Sequence, residues 1–149
     1  MYIGQLCNLN VVCATPDTTI ADAAEQMRKS HVGTLVVVDE TSKGRRPVGI
    51  VTDRDIVIEV VAARLDADTV KLSDLLVQKL VTIEDKDDYA DAIRLMIMKN
   101  IRRLPVVDAS GILVGIITLD DMLRYLALPL AELSDMSARG RKRESEKHP

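Results

Sequence analysis

Gly49-Ile50-Val51-Thr52-Asp53-Arg54-Asp55 returns 66 residues later as Gly115-Ile116-Ile117-Thr118-Leu119-Asp120-Asp121. Each copy starts with β-branched residues that favour a strand and ends in Thr-x-x-Asp, a pattern that opens helices. Upstream the likeness continues at an offset of 69. Val12, Asp22, Ala23, Met27, Leu35, Val37, Val38 and Asp39 match Val81, Asp91, Ala92, Met96, Leu104, Val106, Val107 and Asp108. The offset changes in one loop, where Glu40 to Arg46 is shortened to Ala109 to Ile112. A doubled unit of this size implies two half-domains related by an approximate twofold axis, each completing the other's core. Function is then expected in the clefts between the halves.

Within each copy the pattern predicts strand, helix, strand, strand, helix. Val11 to Ala14 reads as a short strand, and Thr18-Thr19-Ile20 opens a helix with apolar Ile20, Ala23, Ala24 and Met27, ending near Ser30 and His31. Leu35 to Val38 and Val48 to Val51 read as a hairpin, and Asp53 to Leu65 as a second helix with an unusually apolar face. The second copy gives helix 88–99, strands 104–107 and 113–117 about a turn at Ser110-Gly111, and helix 119–128. A short helical lead-in precedes each first strand, Ile3 to Cys7 aligning with Leu72 to Leu76. Pro129 is expected to break the last helix, with a further turn or two over 130–136 and a mobile basic tail from Ser137. The expected class is α/β (α+β), two β-α-β-β-α repeats packed through their sheets. The first repeat with its lead-in spans 1–68, the second 69–129, and the tail 130–149.

At 149 residues the chain has room for one domain, or for two small units sharing a core. It has no Phe or Trp and only three Tyr, so aliphatic residues and Met must fill that core. Aromatic platforms for stacking single-stranded nucleic acid are therefore nearly lacking. The formal charge is −3; residues 134–149 carry +2, leaving −5 on residues 1–133. So acidic a body argues against nucleic acid as a partner. Cys7 and Cys13 make neither a disulfide framework nor a metal-ligand spacing, and read as small apolar fillers. No apolar run reaches membrane-spanning length and no basic-then-apolar leader is present, which predicts a cytoplasmic protein without a membrane association.

Thr-x-x-Asp has a structural reading as a capping box, in which the acid also suits the positive end of the helix. Two related occurrences in a pseudo-symmetric pair carry a second reading. An Asp carboxylate can accept both hydroxyls of a ribose, a Thr hydroxyl can reach a phosphate or ribose oxygen, and helix-start N–H groups favour an anion. Thr52 with Asp55, and Thr118 with Asp121, thus form two candidate nucleotide half-sites.

Thr18 to Met27, the run from His31 to Asp39, Gly49 to Ile56, the run from Asn100 to Asp108, and Gly115 to Met122 together make a more specific match. Over roughly residues 3–128 the chain resembles a tandem pair of CBS domains, the cystathionine β-synthase-type regulatory repeat. The resemblance implies a disc-like, non-catalytic module that binds an adenosine-containing ligand between its repeats and commonly dimerises. It places one site among Thr118, Asp120 and Asp121 with Thr18, Ala23, the Val32 backbone and Gly33. A second would combine Thr52, Arg54 and Asp55 with Asp87, Ala92 and the Ile101 backbone. Acidic Asp87 takes the place of Thr18 there and would repel a polyphosphate, which favours the first cleft. Arg102 and Arg103 stand where the family often carries phosphate-binding cations, although they also suit a solvated pair balancing nearby acids. Arg45, Arg46 and Arg54 read mainly as surface cations.

His31 reads as a helix-end residue, and no nucleophile motif, Gly-rich phosphate loop or metal-ligand set is present. The expected function is a sensor for AMP, ADP, ATP or S-adenosylmethionine, with or without Mg, that signals to a regulated partner protein. No resident cofactor is required. A homodimer through the apolar helices that follow each Thr-x-x-Asp is expected. The competing reading is a structural dimerisation module without ligand sensing.

Overall fold

The computed structural model describes residues 1–148 and confirms a mixed α+β architecture of two three-stranded sheets. The first repeat comprises β1 (Cys13–Ala14), α2 (Ile20–Ser30), β2 (Thr34–Thr41), β3 (Gly44–Thr52) and α3 (Asp53–Ile56), preceded in the chain by α1 (Ile3–Leu6). The second comprises β4 (Ile83–Glu84), α5 (Tyr89–Lys99), β5 (Arg103–Val107), β6 (Leu113–Thr118) and α6 (Leu119–Lys147), preceded by α4 (Leu72–Leu75). In each sheet the first strand pairs parallel with the second, which pairs antiparallel with the third. The repetition extends to irregularities, since the bulge between Val37 and Val38 recurs between Val106 and Val107.

Local chemistry explains the helix ends. The Thr19 hydroxyl accepts from Asp22 N at the start of α2, and the Asp88 carboxylate accepts from Ala90 N at the start of α5. Both helices stop at a left-handed residue, His31 with φ 54° and Asn100 with φ 51°. Ile20, Ala23 and Met27 of α2 are buried against Leu35, Val37 and Val51. Ala92 and Met96 of α5 are buried with Leu104, Val106 and Ile117. Along β2 the side chains alternate, so buried Val36 and Val38 lie on the other face of the sheet.

The two repeats exchange their lead-in helices. Ile3 of α1 is buried in the second core, while Leu72 of α4 is buried in the first. Ile3 N and Gly4 N donate to Asp87 O and Asp85 O at 2.9 and 2.8 Å; Leu72 N and Ser73 N donate to Thr18 O and Pro16 O at 2.9 and 3.0 Å. The chain therefore crosses between the sheets twice, once after each lead-in. Glycine makes room for the crossings. A Cβ on Gly115 would stand 2.7 Å from both Asn8 O and Cys7 Sγ, and one on Gly49 would collide with the Leu76 side chain.

Two helices depart from the sequence expectation. The predicted helix from Asp53 to Leu65 is one α-helical turn that widens into a π-helical turn over Val57–Val61, with Ala62 N donating to Val57 O at 2.8 Å. Ile56, Val57, Ile58, Val60 and Val61 are all β-branched, and their stiff side chains crowd a regular α-helix. In the second repeat, α6 does not end at Pro129 but continues to Lys147, and the tail expected to be mobile is helical. Proline removes one backbone donor, but strong helix formers surround it: Ala127, Leu128, Leu130, Ala131, Glu132 and Leu133.

Gly115→Ala must push against a backbone carbonyl, whereas Gly49→Ala meets only a movable leucine. Urea denaturation should show Gly115→Ala losing about 1–3 kcal/mol and Gly49→Ala losing less. Burial raises the Cys7 thiol above its ordinary range, with Asp85 adding to the effect. Less thiolate is then present at neutral pH, so iodoacetamide should label Cys7 more slowly than a free cysteine peptide, accelerating as pH rises.

Candidate functional site

Each Thr-x-x-Asp forms a reciprocal cap. Asp55 N donates to Thr52 Oγ1 at 3.2 Å and Thr52 N donates to Asp55 Oδ2 at 2.8 Å. At the second helix start Asp121 N donates to Thr118 Oγ1 at 3.1 Å. Thr118 N and its hydroxyl then donate to Asp121 Oδ2 at 3.0 and 2.8 Å. Capping engages one oxygen of each carboxylate and leaves Oδ1 without a protein donor among the described residues. The caps also tie each helix to its own sheet: Asp53 N donates to Gly33 O at 2.9 Å, and Leu119 N to Arg102 O at 2.8 Å.

The two helix starts face a shared cleft of about 390 Å³. Thr52, Asp53 and Arg54 line one side, and Arg102, Arg103, Thr118 and Asp120 the other. The three arginines make no ion pair among the described residues, since the salt bridges found there are Lys29–Glu25, Lys71–Asp17 and Arg94–Asp91. Exposed guanidinium groups with no carboxylate partner can turn to an incoming anion. A second cleft of about 240 Å³ shares Arg103 and Thr118 and reaches Val32, Gly33 and Thr34 of the first repeat. The pre-strand step of one copy and the helix start of the other thus meet across the repeat boundary.

The helix starts differ in one respect. Asp53 Oδ1 accepts from Arg54 N at 2.8 Å, so the first repeat caps itself with its own carboxylate. Leucine occupies that step in the second repeat, and no acceptor among the described residues takes the Asp120 N–H. The second helix start therefore offers a backbone donor to an anion where the first does not.

Other predicted residues lie elsewhere. Asp55 opens onto a recess of about 280 Å³ beside Ile50 and the segment 74–78, and Asp121 onto one of about 220 Å³ with Leu6 and Tyr125. Thr18 engages its hydroxyl with Thr15 N at 3.3 Å, Ala23 is fully buried in the first core, and Ile101 packs on the second. None of these three lines a cleft. Asp87 Oδ2 accepts from Glu84 N at 3.0 Å, and Ala92 is buried. Asn8 and Asn10 line the smaller cleft without having been singled out. They lie on the first crossing segment, whose place between the sheets follows from the exchange of lead-in helices; the one pointer in the sequence is Gly115, the step Asn8 packs against.

The family model of the CBS domain matches residues 3–62 and again 72–128. The chain belongs to the CBS-domain family. Its two matches coincide with the two repeats, and solved CBS structures share the fold. A CBS domain protein from Pyrobaculum aerophilum complexed with AMP is 30% identical, covers 86% of this chain and 99% of its own, and superposes with a TM-score of 0.72. Hypoxic Response Protein I, whose structure holds two coordinated zinc ions, is 30% identical over 83% of this chain and 98% of its own, with a TM-score of 0.71. An uncharacterized protein of Methanopyrus kandleri is 36% identical over 87% of this chain, which spans 66% of that relative's length. Among the described residues of this CBS pair, no group of three or more His, Cys, Asp or Glu is placed to hold a metal ion. No helix there is long and apolar enough to cross a membrane.

Thr118→Ala removes an N-cap acceptor and should cost about 1 kcal/mol in urea denaturation, while Thr118→Ser should stay close to wild type. Equal stability of all three proteins would contradict the observed cap.

Proposed function

We propose that this CBS pair is a non-catalytic cytoplasmic sensor that binds an adenosine-containing ligand between its repeats and signals to a partner protein. The observation that carries the reading is the joining of the two clefts through Arg103 and Thr118. The smaller cleft, with Val32, Gly33 and Thr34 on its wall, would take the nucleoside; the larger, with Arg54, Arg102 and Arg103, would take phosphate. The Oδ1 of Asp121 remains available to a ribose hydroxyl, though Asp121 itself opens onto the neighbouring recess. The free Asp120 N–H favours phosphate at the second helix start. AMP in the Pyrobaculum relative makes a nucleoside monophosphate the first ligand to try. ADP, ATP with Mg and S-adenosylmethionine share the adenosine part and belong in the same comparison.

Signalling requires a ligand that binds two arrangements of the repeats unequally. The crossing segments suit this role, since Asn8 N and Ile116 N exchange hydrogen bonds with the opposite carbonyls at 2.9 Å beside the smaller cleft. A homodimer through α3 and α6 is part of the proposal. Val57, Ile58 and Val61 on the π-helical turn that continues α3, and Leu123 on α6, are exposed apolar residues. The same exposure favours a second reading, a dimerisation module whose clefts bind nothing.

Calorimetric titration separates the two. Wild type should bind at least one of AMP, ADP, ATP or S-adenosylmethionine. Arg103→Ala should weaken a phosphate-bearing ligand by about tenfold or more, the loss of one charge-assisted hydrogen bond. No heat and no rise in melting temperature with any of the four, in a folded protein, would leave only the dimerisation module.

A further inference from the structure

Past the end of the second CBS match at residue 128, α6 continues to Lys147, and from Leu126 onward every described residue is exposed. Leu123, Leu130, Leu133 and Met136 are 55, 67, 57 and 65% exposed. A helix projecting into water with an uncovered apolar face has little to stabilise it, because helices in proteins draw their stability mainly from packing that face. Something must therefore cover it.

The spacing of the leucines indicates what. Exposed Leu123, Leu126, Leu130 and Leu133 alternate by three and four residues, the narrow seam of a helix that pairs with another helix. Helices that choose a different partner carry charges along the edges of such a seam. From Leu123 onward the edges hold Ala127, Pro129, Ser134 and Met136, which are all uncharged. Arg124, Glu132, Asp135 and Arg139 lie at the outward positions of the same repeat. Two identical helices can meet along this face without like charges touching. A membrane surface fits less well. Glu132 and Asp135 stand within the leucine stretch, and the basic residues from Arg139 follow it rather than flank it.

We propose that residues 123–136 of α6 form a two-stranded coiled coil with α6 of a second copy. This extends the dimer part of the function proposed above beyond the CBS fold and is independent of nucleotide binding. Leu123 and Leu126 belong to the CBS repeat, so the seam runs from the body of the module into the projecting helix.

The test compares full-length wild type, Leu130→Lys/Leu133→Lys and Val57→Lys/Val61→Lys by light scattering and helical circular dichroism. Binding to vesicles of phosphatidylcholine and phosphatidylserine is measured in parallel. Wild type should be dimeric, and the seam variant should dissociate with at least about a tenfold weaker dimer and a loss of helical signal. Its melting transition should persist, which shows that the CBS body remains folded. Three results overturn the coiled coil: a seam variant with unchanged dimer affinity and helicity, a monomeric wild type, or a wild type whose helix is taken up by vesicles instead. In the first case, dissociation by the Val57/Val61 pair would locate the dimer contact on the CBS body instead.

Discussion

The exchange of lead-in helices is the constraint on which the rest of the molecule depends. A β-α-β-β-α unit of this size, without Phe or Trp, has few large side chains with which to close its own core. Ile3 and Leu72 each fill the core of the other repeat, and neither is accessible to solvent. Backbone hydrogen bonds to Asp85, Asp87, Pro16 and Thr18 hold the borrowed helices in place. Neither repeat therefore has its full core without the other, and the paired sheets behave as one body. The same exchange draws the chain past Gly115 and Gly49, so that the walls of the clefts are made from segments that also tie the repeats together.

Capping and the proposed binding chemistry coincide at Thr-x-x-Asp. The Thr hydroxyl and one Asp oxygen hold the helix start, and the remaining oxygen is still an acceptor. A residue pair of this kind is positioned by folding itself, with no added cost of ordering it for a ligand. The near-symmetry of the module is broken by small substitutions at these points. Asp53 caps Arg54 N in one repeat, whereas Leu119 leaves the corresponding donor free in the other. Gly33 and Thr34 stand where the second repeat places Arg102 and Arg103, so the positive charge in the shared cleft comes mostly from one side. Pseudo-equivalent clefts thereby acquire different electrostatics.

Much of the fold was legible in the amino-acid order because its cues are local and occur twice. The capping residues Thr19, Thr52 and Thr118 and the β-branched strands marked the elements. The change of offset marked the one loop where the copies differ. The last helix was misread because Pro129 was weighed as a breaker and its neighbours were not. The π-helical turn at Val57–Val61 was missed because hydrophobic periodicity does not distinguish crowded from regular winding. Of the site, Arg54, Arg102, Arg103, Thr118 and Asp120 do meet in one cleft. Thr18, Ala23 and Ile101 are occupied instead with local turns and core packing.

By itself the sequence determined that this protein is a repeated CBS unit with two Thr-x-x-Asp helix starts, since repetition and capping are written in adjacent residues. Only the tertiary structure decided which repeat receives each lead-in helix and that Asn8 and Asn10 border a cleft. It also decided which helix-start N–H stays free. These depend on contacts between residues remote in the chain, and no local pattern specifies which remote surface a short apolar helix will complete.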